Sequence, residues 1–174
     1  MTRRALITGV AGQDGSYLAE WLLEKDYEVY GLVRRHNGDS YWRLAHILDR
    51  LRLLPGDLTD SVSLEKALRL SCPDEVYNLA SQSHVGQSFQ MPLATLHSTG
   101  MGAVNLFEAI RQECRKARVY QASSSEQFGN AAGVNAPVLG VTPMLPCSPY
   151  GCAKLLAYQA AGMYRSAYGM YIAC

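Results

Sequence analysis

Gly9-Val-Ala-Gly12-Gln-Asp-Gly15 stands between an apolar run, Ala5 to Thr8, and a stretch with helical apolar spacing, Tyr17, Leu18, Trp21 and Leu22. A short apolar run reads as a buried strand and the 3.6-residue spacing as a helix, so the three glycines mark a tight strand-to-helix turn. Few folds open this way. Missing side chains permit the turn, let an anion approach the backbone and let the helix pack on the sheet. The helix N-terminus adds free N–H groups and a positive dipole. With Val10, Ala11, Gln13 and Asp14 the loop reads as a cradle for a dinucleotide pyrophosphate. A bare G-x-x-G-x-x-G is weak, and a glycine turn without function is the competing reading.

The alternation continues along the chain. Glu28 to Val33, Arg52 to Leu54, Glu75 to Ala80, Arg118 to Ser123 and Met170 to Cys174 read as further strands. Helices are expected over Tyr41 to Leu51, over Val62 to Leu70 with a Thr59-Asp60 cap, from Pro92 to about Cys114, and over Tyr150 to Tyr168. Gly100 and Gly102 interrupt the propensity of the third. Strands separated by helices mean parallel units with right-handed crossovers. The expected fold is therefore α/β, a doubly wound parallel sheet (Rossmann fold) in three layers, α/β/α. Residues 1–174 form one cofactor-binding domain, with no separate substrate-binding portion after Cys174.

Composition excludes other classes. Sixteen basic and fifteen acidic side chains give a net charge of +1, which offers no general attraction to nucleic acid or an anionic membrane. No apolar stretch is long enough to span a bilayer. Five cysteines, an odd number without C-x-x-C spacing, suit reduced thiols in the cytoplasm better than a disulfide framework. His84 lacks a metal partner at useful spacing, so no metal site is expected.

Tyr150-Gly-Cys-Ala-Lys154 carries the chemistry. At i and i+4 on a helix the phenol and the ammonium project from one face. The lysine favours the phenolate electrostatically and can hold a nicotinamide ribose, leaving Tyr150 as acid/base. The pattern occurs once, in a chain with eleven tyrosines and four lysines.

The remaining candidates fall at the carboxyl ends of strands, where ligands bind in this fold. About 20 residues past the glycine loop an NAD enzyme usually places a carboxylate; here the count reaches Arg34-Arg35, which favours the 2′-phosphate of NADP. A solvated arginine pair is the bland alternative, and Asp39 keeps NAD open. Asp57, before Leu58, reads equally as an adenine contact or as a turn cap. Leu79, Ala80, Gln82 and Ser83 follow the fourth strand and offer close backbone approach to the cofactor. Ser124 and Glu126 follow the fifth, as a substrate hydroxyl contact and a second acid/base; without Tyr150 and Lys154 they would read as a polar turn.

Ala5 to Glu20, Gly56 to Asp60, Pro73 to Leu79, Gln82 to Val85, Tyr120 to Ser123 and Ser148 to Tyr150 together resemble the extended short-chain dehydrogenase/reductase family. Within it the chain is similar to the GDP-mannose 4,6-dehydratase family, Gly-Gln-Asp-Gly-Ser-Tyr-Leu being the most specific segment. The resemblance implies GDP-mannose as substrate, bound NADP, GDP-4-keto-6-deoxymannose as product on the route to GDP-fucose, and a homo-oligomer. It implies that Tyr150 takes the sugar C4 hydroxyl proton as hydride leaves C4, and that Glu126 removes the C5 proton and assists loss of water from C6. Ser124 stands where the family usually has threonine, Cys147 where it has arginine, and Ala94 where a tyrosine is common; the loop Asn130 to Thr142 lacks the usual charges. The family continues past the sixth strand, so the chain reads as its cofactor-binding part. An epimerase or reductase on the same fold, or a non-catalytic cofactor-binding module, are the alternatives; Glu126 argues against the epimerase.

Overall fold

Arg4–Thr8 has one exposed residue followed by four buried ones, the pattern of a parallel strand covered on both faces. This strand, β1, lies centrally among β2 (Glu28–Val33), β3 (Arg52–Pro55), β4 (Glu75–Asn78), β5 (Arg118–Gln121) and β6 (Ile172–Ala173). The order is β3-β2-β1-β4-β5-β6 and every pairing is parallel. This is the expected doubly wound sheet. The computed structural model describes residues 2–34, 41–130 and 140–174.

Strand alternation divides the core in two. Ala5, Ile7 and Val29 pack with Ala19, Leu22 and Leu23 of α1 (Gln13–Glu24) and with Leu44, Ile47 and Leu51. Leu6, Tyr30, Leu32, Val76 and Val119 point to the other face. There they meet α2 (Ser61–Ser71), whose Leu64 and Leu68 are buried, and the helices that follow β4 and β5. Phe107 is the largest side chain wholly buried on that face, a burial that stabilises by about 1.5–3 kcal/mol.

Asp60 caps α2 as expected, its carboxylate accepting from Val62 N at 3.1 Å and Ser63 N at 3.3 Å. Three details differ from the sequence reading. Residues 41–51 form two 3₁₀ turns, Trp42–Leu44 and Leu48–Arg50, rather than one helix. Three anchors, Leu44, Ile47 and Leu51, hold the segment to the sheet without a continuous helical stripe. On α1 the buried face is Gly15, Ser16, Ala19, Leu22 and Leu23, while Tyr17 and Trp21 are exposed. Small residues let the helix approach the sheet, and the aromatics stay outside.

The third difference concerns the helix after β4. A short helix, α3 (Val85–Ser88), comes first; α4 (Pro92–Thr95) then runs through a π turn, Leu96–Met101, into α5 (Gly102–Glu113). Gly100 lies against α6 (Pro149–Tyr168), where an added Cβ would come 3.0 Å from Leu156. Gly100, which weakens helix propensity, thus admits close packing of α6, and the π turn absorbs the change in pitch.

Glu108 joins α5 to α6. Its carboxylate accepts from Arg111 at 2.9 and 2.6 Å and from Tyr164 Oη at 3.1 Å. Arg111 foremost, with Gln112 and Tyr164, holds the Glu108 carboxyl down to about 2 against an ordinary 4.5. A depressed folded pKa stabilises fully above the unfolded value, and the contribution disappears as pH falls from about 4.5 through about 2. Because the side chain is 37% exposed, solvent screening keeps the effect small. Melting temperature is expected to drop a few degrees across that window, and Glu108→Gln to flatten the drop. Calorimetry from pH 5 to pH 2 checks this; an identical pH slope in wild type and variant would contradict it.

Candidate active site

The glycine loop is a close-packed turn. Gly9 has φ +72°, the left-handed region that glycine enters without penalty. Its carbonyl accepts from Gly12 N at 2.9 Å. A Cβ on Gly9 would lie 2.8 Å from Ala80 N, and one on Gly15 would overlap the Gly9 carbonyl oxygen and come 2.7 Å from Val10 Cα. The loop therefore touches the Leu79-Ala80 segment that follows β4, with Val10 wholly buried beneath it. Ala11 is half-buried, whereas Gly12, Gln13 and Asp14 are exposed. Gly12 is the N-cap of α1 and brings no side chain to cap it, so the first-turn N–H groups are left for a ligand.

These residues fit a dinucleotide: a side chain at Gly9 or Gly15 would fill the turn, and the open helix end suits a pyrophosphate. Gln82 adds a second sign. Its Nε2 donates to His84 O and Gln87 Oε1, both at 3.2 Å, whereas its Oε1 is buried with no hydrogen-bond partner among the described residues. A buried acceptor left unpaired is costly; a ribose or substrate hydroxyl would satisfy it. Gln82 N in turn donates to Thr99 Oγ1 of the π turn at 3.1 Å. Ser83 is exposed beside it.

Arg34 is exposed immediately after β2. Arg35 and Asp39 lie outside the described residues. Asp57 does not cap α2, which Asp60 does. Its Oδ1 accepts from Thr59 N at 2.9 Å and Thr59 Oγ1 at 2.8 Å, fixing the turn after β3. Leu58 is buried there against Gly102, where a Cβ would meet it at 2.8 Å.

α6 brings the chemical groups together. Ser148 caps it, accepting from Gly151 N at 3.0 Å, and Pro149 occupies the first turn. Tyr150 and Lys154 are 8% and 4% exposed, and Lys154 Nζ lies 5.7 Å from the Tyr150 ring centroid. Lys154 Nζ donates to Ala122 O, just after β5, at 3.0 Å. Burial alone pulls the lysine down to about 8 from 10.5. Ser124 caps the short turn Ser125–Gln127, its Oγ accepting from Glu126 N at 3.2 Å, which leaves its hydroxyl proton free to donate. That turn packs on α6 at Gly151, where a Cβ would come 2.5 Å from Glu126 O.

Two residues here carry no motif. Ser88, wholly buried in α3, accepts from Tyr150 N at 3.3 Å. Gly151 admits the Glu126 turn. Nothing local marks either: the partner of Ser88 is sixty-two residues away, and Gly151 is required only by the turn packed on it. Cys147 is exposed, with Sγ 3.6 Å from Leu145 O, and Ala94 is exposed on α4. No group of three His, Cys, Asp or Glu among the described residues could hold a metal, and no described helix is long and apolar enough to cross a membrane.

Known proteins share this fold and much of this sequence. Among solved structures, UDP-glucose 4-epimerase from Thermus thermophilus, in complex with NAD, superposes with TM-score 0.86 at 27% identity, covering 97% of this chain and 53% of that one. DesIV, a dTDP-glucose 4,6-dehydratase from Streptomyces venezuelae with NAD bound, gives 0.85 at 26% identity with the same coverage. In sequence, GDP-mannose 4,6-dehydratase of Vibrio cholerae is 46% identical over 98% of this chain and 48% of its own length. The Drosophila melanogaster protein of that name is 45% identical over 96% of this chain and 44% of its own. The chain thus spans about half the length of the curated relatives it matches. The family model described as GDP-mannose 4,6 dehydratase matches residues 6–174, and the chain belongs to that family.

Proposed function

We propose that this chain is the cofactor-binding half of a nucleotide-sugar 4,6-dehydratase that acts on GDP-mannose and retains NADP. The observation that carries the reading is the meeting of Tyr150, Lys154 and the Glu126 turn at one end of α6, on the same carboxyl edge of the sheet as the glycine cradle. A bound nicotinamide supplies a hydride acceptor that later gives the hydride back. Tyr150 accepts the C4 hydroxyl proton, with Ser124 donating to the sugar oxygen and Lys154 favouring the phenolate. A ketone at C4 acidifies C5; Glu126 takes that proton and delivers it to the departing C6 hydroxyl, which leaves as water. Tyr150 returns its proton to C5 as C6 is reduced, so protons and hydride balance over one turnover.

Gly9 through Gly15, Leu79, Ala80, Gln82 and Ser83 would hold the dinucleotide, and Asp57 the adenine edge. Arg34 and Arg35 would take the 2′-phosphate. NADP should therefore bind at least tenfold more tightly than NAD to the purified chain, and Arg35→Asp should erase the preference. Fluorescence titration with both cofactors is the test; equal affinities in the unaltered chain would defeat the NADP assignment. A cytoplasmic enzyme is proposed on the free thiols. Exposed Phe89, Leu93, Met101 and Met163 on or beside α4, α5 and α6 support self-association into a homo-oligomer.

A further inference from the structure

A row of buried polar side chains crosses the sheet beneath the crevice. Ala80 N donates to Thr8 Oγ1 at 3.1 Å, and Thr8 Oγ1 donates to Asn78 Oδ1 at 2.6 Å. Asn78 Nδ2 donates to Gln121 Oε1 at 2.7 Å, and Gln121 Nε2 donates to Ala122 O at 3.0 Å. That carbonyl is the acceptor of Lys154 Nζ. Thr8, Asn78 and Gln121 are at most 2% exposed, so no solvent molecule substitutes for a missing partner. Each lies at the C-terminal end of β1, β4 or β5, three adjacent strands.

The row has a direction. The Ala80 N–H can only donate, so Thr8 Oγ1 accepts there and must turn its own hydrogen to Asn78. Asn78 then presents Oδ1 to Thr8 and its amide nitrogen to Gln121. Gln121 in turn presents Oε1 to Asn78, leaving its nitrogen for Ala122 O. One backbone N–H beside Gly9 thus fixes two amide orientations and ends on the carbonyl that seats the lysine.

We propose that Thr8, Asn78 and above all Gln121 are positioning residues that hold the Ala122 carbonyl in place for Lys154, tying the phosphate loop to the acid/base pair. Apolar residues would pack a parallel sheet equally well, so three uncharged polar side chains in a row call for a role beyond packing. The proposal rests on the reading of Lys154 as partner of Tyr150 and of the cofactor. Titratable side chains on the segments packed against α6 include Glu126, His84, His97, Glu108 and Tyr120. Burial is what pulls Lys154 down; Tyr150 is the neighbour on its own helix.

The chain itself can be tested, because it has four lysines and Lys25, Lys66 and Lys116 are exposed. With lysine labelled with ¹³C at Cε, carbon NMR over a pH series should show one resonance titrating far below the other three and missing in Lys154→Arg. Gln121→Leu should lower its midpoint by about one pH unit, a tenfold loss of proton affinity, because the ammonium loses an oriented acceptor. Thr8→Val should move it the same way, and Thr8→Ser should restore it. A role confined to holding strands together would lower the melting temperature and leave the midpoint alone. An unmoved Lys154 midpoint in folded Gln121→Leu or Thr8→Val overturns the proposal; should Gln121→Leu not fold, the Thr8 pair decides. Full-length protein separates the two readings. If Lys154→Met abolishes turnover while the midpoints do not move, the positioning proposal alone fails. If the midpoints move but Lys154→Met turns over normally, the catalytic reading of Lys154 fails.

Discussion

Tyr150→Phe in the full-length protein is expected to lower turnover by about 10³-fold, within the range for losing a positioned acid/base, while cofactor affinity changes less than about threefold. The phenyl ring keeps the packing of a side chain only 8% exposed, so the fold should survive. Glu126→Gln should fail at a different step. Oxidation at C4 remains open to it, but the C5 proton has no acceptor. Solvent exchange of the substrate C5 hydrogen, followed by mass spectrometry in deuterated water, tests the role of Glu126. Exchange should be present in the unaltered enzyme and lost in Glu126→Gln. Equal exchange in both would remove Glu126 from the reaction and reopen an epimerase or reductase on the same cradle.

Gly9→Val should produce the largest effect on the cofactor. A branched side chain at φ +72° is strained, and its Cβ would press on Ala80 N at 2.8 Å. Strain and overpacking together should cost about 3 kcal/mol, or about 6–12 °C in melting temperature for a domain of this size. Dinucleotide affinity should fall by more than about 100-fold, since the displaced loop no longer places its N–H groups around a pyrophosphate. Gly140→Ala is the control, because nothing lies within 4 Å of an added Cβ there. Thermal melts and cofactor titration of both variants check the contrast; a Gly9→Val protein that binds normally would show that the cradle is not the cofactor site.

Sequence spacing determined the strands, their alternation with helices and the two motifs, because each rests on neighbours within a few residues. A glycine turn between a strand and a helix, and a tyrosine four residues before a lysine, are local patterns that tertiary structure cannot easily reassign. It misjudged α1 for a related reason: a 3.6-residue period admits two faces, and only the sheet below decided that Gly15, Ser16 and Ala19 go inward while Tyr17 and Trp21 stay out. Residues 41–51 read as helix because the pattern registers apolar spacing, not the geometry of three separate anchors. The contacts of Tyr150 with Ser88, of the Glu126 turn with Gly151 and of Lys154 with the Ala122 carbonyl were decided by tertiary structure alone. Their hydrogen bonds and contacts join residues far apart in the chain, and a polar side chain shows its purpose only when the partner that satisfies it is in view.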